Sequence, residues 1–159
     1  MLARKLSSFL RQPVFIQAWF LPVWLLLGFS KGGILLISFR RLAPRLGRPA
    51  GLSLWLPLLD ERQVARARQI GRVVQLAARY TPWDSNCFPQ AVAARVLLGL
   101  YDIPYALFFG LARDPASSVM QAHAWVAAGK VRVTGGNSFD QFTVVGCFVS
   151  PGLPGVAPS

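Results

Sequence analysis

The sequence predicts an α+β fold in which helices come first and a small antiparallel sheet follows. Apolar residues recur at helical spacing up to about residue 99, and beyond residue 104 they alternate with polar ones. A Gly129-Lys130 pair between two alternating segments indicates a tight hairpin turn. We divide the chain into a basic, apolar helical extension at residues 1–60, a core at residues 61–150 and a disordered tail at residues 151–159.

The N-terminal block is built around an apolar run, Val14–Gly28, that follows a basic start. Gln17 and Pro22 interrupt the run, and it is short for a membrane-spanning helix. No small-residue cleavage site follows it, so it is not a typical secretory signal. We expect one or two helices that pack on the rest of the domain. The alternative is a helix that contacts a membrane surface or a partner protein through residues 14–39.

Two further helices are predicted before the sheet. The first begins at Asp60 or Glu61, where a negative charge favours a helix start, and buries a stripe formed by residues 70, 73, 74 and 77. Pro82 ends it. The second begins at or next to Cys87, since Ser85 and Asn86 are good N-cap residues and Pro89 is tolerated only in a first turn.

Four strands are predicted after the last helix. Their ranges are 104–112, 121–128, 130–134 and 141–149.

The composition is apolar and strongly basic. Of the 159 residues, 53% are hydrophobic and 14% charged, with 17 Lys and Arg against 6 Asp and Glu and a net charge of +11 at pH 7. This balance suits an anionic membrane surface, a nucleic acid or an acidic peptide. Because no nucleic-acid motif is recognisable, we expect no nucleic-acid partner. Two cysteines and one histidine, without metal-ligand spacing, predict a cytoplasmic protein with no metal and no cofactor.

Cys87 and His123 are the candidate catalytic pair. The positive end of a helix dipole and a nearby imidazole both favour the thiolate form of cysteine, and the helix start supplies N–H donors for an oxyanion. A strand packed across the helix start would bring His123 to the sulfur as general base. The alternatives are a buried structural cysteine, a disulfide between Cys87 and Cys147, and a structural histidine. The order cap, cysteine, helix, strand and histidine is nevertheless that of papain-like and transglutaminase-like folds.

Several short motifs resemble the cysteine-protease half of the lasso-peptide biosynthesis B protein, a transglutaminase-like leader peptidase. They are N-C-F-P-Q-A-V-A at residues 86–93, A-H-A-W-V at residues 122–126 and, upstream, F-R-R-L-A-P-R-L-G-R at residues 39–48. The resemblance implies a peptidase that removes the leader from a ribosomally made precursor peptide before macrolactam closure. It implies Cys87 as nucleophile and His123 as general base.

The same resemblance implies partners and a third catalytic group. The partners are the precursor peptide, a winged-helix protein that recognises the leader, and an asparagine-synthetase-like cyclase. Nothing in residues 1–60 resembles the recognition domain, so we expect a separate protein. The family usually places an Asp on the strand after the histidine, but here that strand has no carboxylate. Asp140 is our choice for the group that orients the imidazole, and Asn137 is the alternative.

Three other functions remain open from the sequence. The first is a non-catalytic scaffold that binds precursor and cyclase. The second is a protein that binds an anionic surface. The third is an acyltransferase or transglutaminase that uses the same Cys–His pair, because only the acceptor of the acyl group differs.

Overall fold

The computed structural model describes residues 7–36, 46–50, 57–113, 119–136 and 138–151. The basic segment after the first helix (residues 37–45), Asn137 and the predicted tail from residue 152 lie outside the described residues. The helices are α1 (Val14–Leu36), α2 (Glu61–Ala78), α3 (Cys87–Leu100) and the short α4 (Ser138–Gln141). The strands are β1 (Arg48–Pro49), β2 (Ala106–Arg113), β3 (Met120–Ala128), β4 (Val131–Arg132) and β5 (Thr143–Val149).

The strands form one five-stranded sheet in the order β1-β5-β2-β3-β4, with antiparallel neighbours throughout. The α+β prediction is therefore confirmed for the described residues. Strand β1 was not predicted, because its two residues pair with a strand about a hundred positions later and carry no local signal of their own.

Strand β4 is shorter than predicted. Val133 and Thr134 both donate their backbone N–H to the carbonyl of Val126, at 2.9 and 3.2 Å. The Thr134 hydroxyl accepts the N–H of Val126 at 3.1 Å. The Thr134 hydroxyl thus accepts the Val126 N–H in place of a backbone carbonyl, and the strand ends at Arg132.

Local signals place α2 and α3 as the sequence predicts. Asp60 caps α2 by accepting the N–H of Gln63 at 2.7 Å, and the Gln63 side chain accepts the N–H of Asp60 in return. Asn86 is the N-cap residue of α3, although its side chain makes no capping bond. Gly71 of α2 sits against the backbone, because a Cβ there would lie 2.7 Å from the carbonyl oxygen of Val133.

Helix α1 extends eight residues beyond the predicted run, and Pro22 lies inside it. Pro22 has no N–H to donate to the carbonyl of Ala18. Both residues are exposed, so this carbonyl lies on the solvent side of the helix. One face of α1, with Ile16, Val23 and Leu27, is buried in the same core cluster as α2 and α3. By length and composition alone, Val14–Gly33 is also apolar enough to cross a membrane.

The sheet has two different faces. Side chains of Leu107, Ala124 and Val126 point to the three long helices and join the main core. The other face, which we call the aromatic face, carries Phe108, Trp125 and their neighbours, and it has its own buried cluster. Since side chains alternate along a strand, each strand residue is assigned to one face by its position.

Candidate active site

Cys87 is the first residue of α3, and its side chain is half-buried against the main core. Pro89 lies in the first turn, where its missing N–H costs no helical bond. The first N–H groups of a helix have no acceptor within the helix. The thiol therefore lies at a helix start whose backbone donors suit a thiolate or an oxyanion.

Helix α1 holds the loop that leads into Cys87. The indole N–H of Trp24 donates to the carbonyl of Tyr80 at 3.0 Å, and the Lys31 ammonium donates to the carbonyl of Asp84 at 3.0 Å. The rings of Trp24 and Trp83 lie 4.8 Å apart. These contacts join residues more than fifty positions apart, so no local sequence pattern predicts them. The N-terminal helix thus positions the loop that presents the thiol.

A polar groove of about 280 Å³ lies beside the start of α3. Gln90 and Ser85 line it together with Gln75 and Arg79. The Gln90 side-chain amide donates to the carbonyl of Ser85 at 2.7 Å. Gln90 thus lines the groove and also holds Ser85, the residue before the N-cap Asn86.

His123 lies on β3, opposite Gly110 on β2, with its imidazole on the aromatic face. The ring stacks on Trp125 at 5.9 Å and on Phe142 at 4.8 Å between centroids, both at an interplanar angle of 23°. A Cβ at Gly110 would lie 2.7 Å from the Trp125 ring and 2.8 Å from Phe142. Glycine at this position therefore makes room for the aromatic stack.

Burial sets the protonation of two candidate groups. Desolvation lowers the pKa of His123 below its usual 6.5, although a hydrogen bond with the backbone of Gly135 acts in the opposite direction. The imidazole is therefore neutral near pH 7 and able to accept a proton. Burial also raises the pKa of the Cys147 thiol to about 11, so this cysteine stays protonated. Cys87 is the better nucleophile candidate, and both cysteines are free.

The structure brings the elements of the pair together but does not join their side chains. Helix α3 packs on β3, and Phe88 contacts Phe109, whose ladder partner is Ala124. Cys87 lies on this helix side of the sheet, whereas His123 faces the aromatic side. Among the described residues, no hydrogen bond connects the Cys87 thiol with the His123 imidazole.

Asp140 lies exposed on α4. No hydrogen bond or charge effect of Asp140 on His123 is found in the described part of the chain, and Asn137 is outside it. The observed partners of the imidazole are Gly135 and the rings of Trp125 and Phe142. The role of Asp140 stays a prediction.

The sequence pattern does not predict the contact of Phe142 with His123. A register shift in the pairing of β5 with β2 leaves Val145 without a ladder partner. This irregularity sets the face on which Phe142 lies, and it follows from pairing rather than from local pattern.

The model of the transglutaminase-like superfamily matches residues 33–147, which is more than half of the chain and includes both Cys87 and His123. The chain belongs to the transglutaminase-like superfamily. Comparison with curated proteins and with solved structures gives no match. The superfamily includes cysteine peptidases and acyltransferases, and its fold is commonly that of a cysteine hydrolase or transferase.

Transglutaminase-like chemistry of this kind needs a thiolate, a proton acceptor and oxyanion donors. The described residues of this chain contain a candidate for each. No group of three or more His, Cys, Asp or Glu side chains that could hold a metal occurs among them.

Proposed function

We propose that this protein is a cysteine peptidase that removes the leader from a ribosomally made lasso-peptide precursor before a cyclase closes the macrolactam. The observation that carries the proposal is Cys87 at the first position of α3, inside the region matched by the superfamily. The short motifs around Cys87 and His123 supply the narrower assignment to leader removal.

The proposed reaction has two steps. The Cys87 sulfur attacks the carbonyl carbon of the last leader residue, so that a C–S bond forms and the backbone N–H groups at the start of α3 stabilise the oxyanion. The C–N bond then breaks, and the leaving amine takes the proton that His123 received from the thiol. Water next attacks the thioester, which releases the leader as a carboxylic acid and restores the thiol.

His123 needs contact with the thiol or with a bridging water at some stage of this cycle. Catalytic hydrogen bonds often form only in the substrate complex. Because the imidazole and the Cys87 sulfur lie on different sides of the sheet here, the proposal requires that peptide binding rearranges β3 around His123 so that the two groups meet. Asp140 would help to orient the imidazole in that state.

The test is reconstitution with a lasso-peptide precursor, a separate leader-recognition protein and a cyclase, all of which we expect to be encoded beside this gene. Leader release is followed by mass spectrometry for the wild type and for Cys87→Ala, His123→Ala and Asp140→Ala. The first two changes should abolish release, whereas Cys147→Ala should not. Release by Cys87→Ala would overturn the peptidase proposal. Release by His123→Ala alone would show that another group takes the thiol proton.

An acyltransferase is the second candidate, because water and an amine can both accept the acyl group from the same thioester. Adding a primary amine to the assay separates the two. Release of a free carboxylic acid supports hydrolysis, and a product that carries the amine supports transfer.

We also propose that the protein is cytoplasmic and that α1 contacts an anionic membrane surface. The outward side of α1 exposes Val14, Leu21 and Phe29 by 80%, 61% and 75%, next to the exposed Arg11. Flotation with anionic vesicles should recover the wild type but not Leu21→Glu/Phe29→Glu. Equal recovery of the two proteins would refute membrane contact through α1.

A further inference from the structure

A second groove, of about 830 Å³, lies between the N-terminal half of α2 and the β3–β4 turn. One wall carries Val64 and Arg68 of α2, and the other carries Lys130 and Arg132. Val131 contributes apolar surface between these two cations. The volume is within the range of ligand-binding pockets in proteins.

The charged residues that line this groove are all basic. Three cations from two different elements line it, and no acidic residue does so among the described residues. The nearest acid along the chain, Asp60, already accepts the N–H of Gln63 as the α2 cap. Cations that face a shared concavity create a positive potential, which attracts an anionic ligand.

Its surface is also apolar. The apolar lining residues include Leu58, Leu59, Val64 and Val131, and Leu58 is 98% exposed. Phosphates of a nucleic acid would use the cations but leave this apolar surface in water. A peptide with alternating acidic and aliphatic side chains would satisfy both features, because its carboxylates pair with the cations and its aliphatic groups cover the leucine and valine side chains.

We propose that this groove, which we call the α2–β4 groove, binds an extended peptide segment that carries acidic and aliphatic side chains. The inference rests on the proposed function in one respect: the segment belongs to the peptide that Cys87 cleaves. The groove is then a substrate-docking site that is separate from the thiol.

The position of the groove sets the spacing between docking and cleavage. The loop that leads to Cys87 follows the C-terminal end of α2, and the ten residues from Arg68 to Ala78 rise about 15 Å along that helix. An extended chain covers this length in about five residues. Because Gln75 and Arg79 near that end of α2 share a groove with Ser85 and Gln90 beside Cys87, we expect about five residues between the docked segment and the cleaved bond.

The test is a binding measurement in the Cys87→Ala background, in which cleavage does not interfere. The probe is a fluorescein-labelled peptide of alternating Glu and Leu, followed by fluorescence anisotropy. Arg68→Ala/Lys130→Ala should weaken binding about three- to tenfold, because each exposed cation contributes modestly. The matched control is Arg72→Ala/Arg113→Ala, which removes the same charge from exposed positions outside the groove and should leave binding unchanged.

Further arms separate the possible ligands. A peptide of alternating Glu and Ser should bind more weakly than the Glu–Leu peptide, and a short uridine oligonucleotide should not compete. Equal loss in both double variants, equal binding of the Ser peptide or competition by the oligonucleotide would each overturn the proposal.

Cleavage kinetics distinguish failure of the groove from failure of the proposed function. With wild-type Cys87, the groove double variant should raise KM for the precursor and leave kcat unchanged. If no cleavage occurs in any protein but the groove discriminates the peptides, the peptidase proposal fails and the docking site stands. If cleavage occurs with the same KM in both double variants, the docking site fails and the peptidase proposal stands.

Discussion

Removing the Phe142 ring should change both the titration of His123 and the stability of the fold. Phe142 stacks on His123 at 4.8 Å and contacts Trp125 at 6.4 Å between centroids. Two such ring pairs contribute about 1–3 kcal/mol, and the partial exposure of Phe142 favours the middle of that range. These ring contacts add to the apolar area that Phe142 buries, so Phe142→Ala should cost at least about 2 kcal/mol, which lowers Tm by at least roughly 4 °C in a chain of this size.

The same change opens the imidazole to water. Because desolvation is the main cause of the lowered pKa of His123, its pKa should rise toward the usual 6.5 in Phe142→Ala. Phe142→Leu keeps much of the apolar cover, so it should retain a lowered pKa and lose less stability.

The assay is an NMR titration of the imidazole Hε1 signal, which is unambiguous because the chain has one histidine. Thermal unfolding of the same samples gives the stability change. A pKa that stays unchanged or falls in Phe142→Ala would refute the assignment of desolvation to the aromatic stack.

Three further outcomes are expected. The pKa of His123 is lowered in the folded protein, so on acidification the unfolded chain binds a proton at a higher pH than the folded chain does. The free energy of unfolding should therefore decrease as pH falls below about 6.5. Urea unfolding across pH should show a shallower decrease for His123→Gln than for the wild type, and parallel curves for the two proteins would contradict this. Gly71→Ala should cost about 1–3 kcal/mol, because its Cβ would lie 2.7 Å from a backbone carbonyl oxygen. Gly99→Ala, whose Cβ would have nothing within 4 Å, should be neutral or slightly stabilising. Chemical denaturation measures both variants, and equal effects would show that the close approach at Gly71 is absent. Iodoacetamide should alkylate Cys87 in the native protein and Cys147 only after unfolding, since burial raises the pKa of the second thiol to about 11; peptide mapping of native alkylation at Cys147 would contradict its burial.

Local chemistry made a large part of the fold predictable. The cap at Asp60, the proline in the first turn after Cys87 and the turn at Gly129-Lys130 each depend on neighbouring residues, and each lies where the sequence places it. Cys87 at a helix start and His123 within a strand follow from the same local signals.

Features that depend on long-range pairing were not predictable. The extension of α1 past Pro22 depends on which side of the helix faces solvent. The side of the sheet on which His123 lies depends on strand register, and a one-residue shift would move every side chain to the other face. The contacts of Trp24 and Lys31 with the loop before Cys87 also require the assembled fold.

The positioning of that loop gives α1 a structural role beside any surface contact. Its buried side packs into the core and holds the approach to the thiol, while its outer side exposes aliphatic groups and Phe29. The N-terminal block is thus part of the unit that presents Cys87, although the boundary at residue 60 stays a prediction.

Detection of the acyl-enzyme tests the proposed chemistry most directly. The precursor peptide is mixed with the protein and its recognition partner, quenched in acid and analysed by intact mass and peptide mapping. A thioester of the leader on Cys87 is expected, which hydroxylamine removes and which Cys87→Ala lacks. Leader release from the wild type without that adduct, together with undiminished release by Cys87→Ala, would contradict it.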